Sequence, residues 1–157
     1  MDKPSVRIVP FAPEYKEAFR DLNKAWIEQY FRMEPGDFAS LDHPDTYILE
    51  KGGYILVAKL GDQIAGVCAL MKMDHPTFDY ELAKMAVDPS FQGQKIGWKL
   101  GMAILDKARS IGAKTLYLES NTILVPAINL YRKLGFVEVP DANSPYERSN
   151  IQMQCKL

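Results

Sequence analysis

Cysteine is scarce in these 157 residues: Cys68 lies inside an apolar run and Cys155 close to the end. Two such positions give neither a disulfide framework nor a metal-ligand spacing, so no metal is expected. Long hydrophobic runs are missing as well. No stretch approaches the roughly 18 apolar residues a membrane helix needs, and the opening Met-Asp-Lys-Pro-Ser-Val-Arg carries no signal-peptide core. A cytoplasmic protein with no membrane partner is expected. Charge of one sign is not in excess: 19 Lys and Arg face 20 Asp and Glu, for a net charge of −1, which argues against a nucleic-acid partner. Both histidines, His43 and His75, precede a proline in a polar loop and read as surface residues. The two familiar nucleotide loops, G-x-x-x-x-G-K-[ST] and G-x-G-x-x-G, are also absent. What remains is 47% hydrophobic and 25% charged, an ordinary globular composition. It reads as one domain over 1–157 with a proper core.

The most informative stretch runs from Glu81 to Arg109. Leu82, Lys84, Met85 and Val87 fit a mostly buried strand, and Asp88-Pro89 stops it because proline donates no N–H. A polar loop follows, Gln92-Gly93-Gln94-Lys95-Ile96-Gly97. Leu100, Ala103, Ile104, Ala108 and Ile111 then mark one face of a helix, which Gly112 caps. Backbone N–H groups at such a helix start lack intrahelical partners and lie at the positive end of its dipole, so they suit an anion such as a phosphate. Gly93 and Gly97 allow close approach.

Elsewhere, Val6 to Val9 reads as a strand and about Pro13 to Phe31 as a helix with Tyr15, Phe19, Leu22, Trp26 and Tyr30 on one face. Residues 35–53 read as mostly loop, with a short helix around Asp45 to Leu49. Tyr54–Leu60 and Gln63–Met73 form a hairpin through Gly61-Asp62, with a bulge expected at Gly66. Thr115–Glu119, Phe136–Val139 and Asn150–Cys155 read as strands. Val125–Leu134 reads as a helix opened by Pro126 and capped by Gly135. The helix after Gly97 should cross over right-handedly, making the Glu81 and Thr115 strands parallel neighbours.

The loop Gln92-x-x-Lys95-x-Gly97 resembles the pyrophosphate loop [Q/R]-x-x-G-x-[G/A] of the GNAT superfamily of N-acetyltransferases. Lys95 stands where that family has its first glycine. A lysine can still donate its N–H there and adds a positive charge, provided the backbone avoids positive φ. Ala127-Ile-Asn-Leu130-Tyr131-Arg-Lys-Leu-Gly135-Phe136 is similar to the family's A-x-x-L-Y-x-x-x-G-F segment, and the element order matches over essentially the whole chain. The resemblance implies an α/β fold: a mixed, mostly antiparallel sheet of about seven strands with helices on both faces, the fourth and fifth strands parallel and splayed.

It also implies a chemistry, the acetyl-CoA-dependent acetylation of a primary amine by direct attack. On this sequence the pantetheine would bond the backbone of Met85, Ala86 and Val87. The pyrophosphate would lie on Gln92, Gly93, Gln94, Lys95, Ile96, Gly97 and Trp98, with Asn121 and Asn129 bonding the coenzyme or capping local backbone. Tyr131 would protonate the departing thiolate. Glu81, eleven residues ahead of Gln92, resembles the catalytic glutamate of histone-type members and would be the base, with Tyr80 and Leu82 on the opposite face. The acceptor pocket would draw on Tyr30 to Gly36, Tyr47, Asp74 to Tyr80 and residues 140–148. Tyr30, Glu34 and Tyr80 are its candidate substrate contacts. The family often has Asn at the position of Leu124. A small amine, amino acid or peptide is the implied acceptor, and a homodimer is among the implied assemblies. A coenzyme-binding sensor without catalysis is the alternative, favoured by Lys95 and Leu124 and opposed by Tyr131 and Glu81.

Overall fold

A computed structural model describes residues 5–91, 93–140, 144 and 146–157. Strand β1 (Val6–Pro10) leads into a 3₁₀ turn at Pro13–Tyr15 and helix α1 (Lys16–Tyr30). Helix α2 (Pro35–Asp42) and a π-turn at Asp45–Leu49 follow, then strands β2 (Tyr54–Leu60), β3 (Gln63–Lys72) and β4 (Tyr80–Val87). Helix α3 (Ile96–Ser110) connects to β5 (Thr115–Ser120), and α4 (Val125–Leu134) to β6 (Val137–Glu138) and β7 (Ile151–Lys156). The sheet runs β1-β2-β3-β4-β5-β7-β6. β4 and β5 are parallel and every other pair is antiparallel.

Side chains alternate across the sheet and fill two cores. On one face Leu70, Leu82 and Leu116 meet Leu100 and Ile104 of α3 and Ile128 of α4. On the other, Val57, Val67 and Ala69 meet Phe19 and Ile27 of α1 and Leu41 of α2. Gly66 lets α3 approach, since a Cβ there would lie 2.9 Å from Ile96 Cγ2. The bulge expected at Gly66 is present one residue earlier. Ala58 faces Gly66 and Lys59 faces Ile64, so Ala65 is the extra residue.

Two local readings are corrected. Residues 35–42 are helix rather than loop, because the Asp37 carboxylate turns back to accept the Glu34 N–H at 2.9 Å and Pro35 supplies helical φ at the first turn. The buried face of α1 is Phe19, Asn23 and Ile27, rotated from the aromatic stripe, and Tyr30 at its end is 47% exposed. No helix among the described residues is long and apolar enough to cross a membrane.

Candidate active site

β4 and β5 pair only at Tyr80–Leu116 and Glu81–Tyr117. Beyond that point no parallel pairing is made. The divergence has a local cause on β4: Val67 faces Ala86 and Ala69 faces Ala83, so Lys84 and Met85 together oppose Cys68. Two residues against one bend and twist a strand. Lys84 takes the strain, with φ of +54°, where a side chain costs about 1–2 kcal/mol.

The divergence opens a cavity of about 90 Å³. Glu81 and Met85 reach it from β4, Glu119 and Asn121 from the end of β5, and Tyr131 from α4. Asn23 and Trp26 of α1 close one side, and Tyr146 and Arg148 close another. Burial, followed by the nearby charge of Glu119, pushes the Glu81 carboxyl up to about 8. Burial also pushes the Tyr131 phenol up, so it carries its proton throughout the neutral range. The Glu119 carboxylate accepts from the hydroxyls of Tyr117 at 2.9 Å, Ser144 at 2.7 Å and Ser149 at 3.3 Å.

Behind this cavity lies a buried charge cluster that sequence reasoning missed. Asp37 Oδ1 is 2.6 Å from Lys84 Nζ and accepts from Arg148 Nη2 at 2.7 Å, while its Oδ2 accepts from Arg148 Nη1 at 2.6 Å. Burial alone would raise the Asp37 carboxyl, but these bonds and charges hold it down to about 2. Glu34 completes the cluster, accepting from Arg148 at 3.1 Å and from the Glu147 N–H at 3.0 Å. Its members come from α2, β4 and the segment before β7. No periodicity links them, so only the fold could reveal the group.

The structure thus brings Glu81, Met85, Asn121 and Tyr131 to one cavity. Leu124 lines the same cavity from the start of α4. Ala86 is buried in the α1-side core and Val87 packs against the other. Asn121 caps backbone, donating to Arg148 O at 2.7 Å and accepting from the Ile123 N–H at 3.0 Å. Asn129 is exposed on α4.

The three candidate substrate contacts stand apart from the cavity lining. Tyr30 is exposed and Glu34 is committed to the ion cluster. Tyr80 faces away, toward a groove shared with His75 and Asp79. Asp79 itself fastens the start of β5, accepting from the N–H groups of Lys114 and Thr115. The His75 ring accepts from the Thr77 N–H in the surface loop expected for it. Both cysteines are buried and free, and burial raises the Cys68 thiol, the reverse of what a nucleophile needs.

At the start of α3, Gln92 lies outside the described residues. Gly93 adopts φ of +81° with open space where a Cβ would point. Gly97 serves packing, since a Cβ there would lie 3.1 Å from Leu130 Cδ2. The condition placed on Lys95 is not met: its φ is +56°, the conformation a glycine would hold without cost. The Lys95 carbonyl accepts from the Lys99 N–H at 3.0 Å, so the helix is entered normally despite the strain. Ile96, Gly97 and Trp98 form the first turn, and Trp98 is 37% exposed.

The sequence model of the acetyltransferase (GNAT) family matches residues 15–136. The chain belongs to that family. Among curated relatives, the N-alpha-acetyltransferase RimI of Mycobacterium tuberculosis is 36% identical over 83 residues, which is 52% of this chain and 51% of that protein. An uncharacterised protein of Mycobacterium leprae is 36% identical over 83 residues, 52% of this chain and 22% of that protein. The chain therefore spans about half or less of the length of these two relatives. A GNAT-family acetyltransferase from Staphylococcus aureus superposes with a TM-score of 0.83 at 21% identity, covering 97% of this chain and 99% of that one. A Bacillus subtilis acetyltransferase solved in complex with CoA superposes with a TM-score of 0.68 at 24% identity, covering 99% of each chain.

Proposed function

We propose that this chain transfers the acetyl group of acetyl-CoA to a primary amine by direct attack within a ternary complex. The observation that carries the reading is the convergence of Glu81 and Tyr131 on one cavity, at the point where β4 and β5 part. Strand backbone at Met85 to Val87, which pairs with β3 but no longer with β5, holds the pantetheine arm on its open side as an added strand would be held. A backbone N–H there polarises the thioester carbonyl as charge develops on its oxygen. The first turn of α3, with Gly93 ahead of it, takes the pyrophosphate.

Glu81 accepts the proton that the ammonium must lose before its nitrogen can attack. A base whose pKa lies near 8 takes that proton with little mismatch. The amine nitrogen bonds to the carbonyl carbon, the carbon–sulfur bond breaks, Tyr131 gives its phenolic proton to the sulfur, and the second proton shed by the nitrogen returns the phenol to its neutral form. No protein nucleophile enters the sequence, in keeping with two buried cysteines.

Replacing Tyr131 with Phe tests the assignment. We expect kcat to fall by about 10- to 100-fold while the Kd for acetyl-CoA stays within about twofold. A coenzyme-binding sensor would show the second result without any turnover to lose. Equal loss of affinity and turnover, or loss of neither, would remove the acid role from Tyr131.

A further inference from the structure

Four charged side chains reach the cavity from the described residues: Glu81, Lys84, Glu119 and Arg148. Both cations are already matched. Lys84 rests on Asp37, and Arg148 donates to both Asp37 and Glu34. The Lys84 and Arg148 side chains are 7% and 16% exposed and Asp37 is fully buried, so salt screens these pairs little. Two carboxylates answer two cations, and the cluster is neutral. The Tyr146 ring lies over it, 5.0 Å from Lys84 Nζ and 4.4 Å from the Arg148 guanidinium, and presents an aromatic wall to the cavity.

Glu81 and Glu119 have no cationic partner among the described residues; Glu119 is held by hydroxyls alone. Any excess charge in the cavity is therefore negative. Resting on the acetyl-transfer reading, we infer that the acceptor is a primary amine whose own carbon bears no carboxylate, as in an α-amino amide or a peptide N-terminus. An ammonium group meets the Glu119 carboxylate, with the Glu81 carboxyl beside it. A carboxylate one carbon away would face the Glu119 carboxylate, and to claim the charge of Arg148 it would have to draw that residue from Asp37 or Glu34. A neutral amide carries no such conflict, and free α-amino acids are rejected by repulsion as much as by lack of a partner.

The test is thiol release from acetyl-CoA with alaninamide, alanine and alanylalaninamide, compared at equal concentrations of unprotonated amine because the amides are less basic. We expect kcat/KM for the amides to exceed that for alanine by at least about tenfold. The larger of the two amide values tells whether a peptide N-terminus or a small amine is the source. An equal or higher value for alanine overturns the inference. Glu34→Gln removes one compensating carboxylate at the edge of the cluster; it should narrow the amide-to-acid ratio while leaving acetyl-CoA affinity unchanged. An unmoved ratio in the folded variant overturns the charge argument. Thiol release with none of the amines, by protein that binds acetyl-CoA, counts against acetyl transfer itself, and the inference falls with it.

Discussion

Glu81 carries the site's most testable charge. Its carboxyl titrates near 8 in the folded protein because burial and Glu119 disfavour the anion, against about 4.3 in an unfolded chain. The folded state therefore keeps a proton that the unfolded state releases between those values. Its contribution to stability is whole below about pH 4 and is lost as pH rises toward 8. Glu81→Gln should then be more stable than the wild type at pH 9 by about 1 kcal/mol or more, with the gap closing at pH 5, as thermal unfolding at both values will show. The same variant should lose the limb of the pH–rate profile that rises through about 8. An unchanged profile would put the base elsewhere. Glu81, Met85 and Tyr131, which the structure brings to one cavity with Asn121, can be named from sequence because each lies near a loop or helix motif. Tyr146 and Arg148 lie in the expected pocket segment 140–148 but nothing in sequence singles them out, and nothing points to Glu119 or Asp37, because these side chains meet only through contacts between distant segments. Glu34 and Tyr80 read as candidate substrate contacts in the sequence but lie apart from the cavity lining. An acid near a helix break and a tyrosine beside Glu81 look available in sequence. One is consumed by Arg148, and the other points into a different groove.

At the scale of elements, the strands and long helices follow from periodicity and from Pro and Gly stops, and their ends shift by only a residue or two. Helix α2 escaped because Pro35-Gly36 looks like a break and glutamate is an uncommon N-cap. The Asp37-to-Glu34 bond that makes the turn is visible only in three dimensions. The loop before α3 departs from expectation in conformation rather than location. Lys95 holds a left-handed backbone at φ of +56°, which glycine would hold without strain. Lys95→Gly should raise stability by about 0.5–1 kcal/mol, or a few degrees in Tm. A lower Tm would mean that the lysine side chain holds the turn, and that the strain argument is wrong. Lys84 stores similar strain at the β4 bulge but is anchored by Asp37. Glycine there would remove an ion pair as well as a strained angle.

For the molecule as a whole, two cores press helices onto opposite faces of one sheet, and the bulge in β4 forces that sheet to part. The mixed topology followed from element order and the crossover between β4 and β5. The splay implied by the family resemblance is present, but its cause, a two-against-one pairing on β4, is announced by no run of residue types. The central claim is that the divergence and the α3 start together hold acetyl-CoA, the arm in the gap and the pyrophosphate on the helix. Calorimetric titration with acetyl-CoA and with acetyl-pantetheine, which lacks the pyrophosphate and adenosine, tests both halves. Binding with a Kd on the order of micromolar for the whole donor, weakened by about 100-fold for the truncated one, is the predicted result. Equal affinity for both would contradict the anion site at α3, and binding of neither would contradict the acetyltransferase reading of this chain.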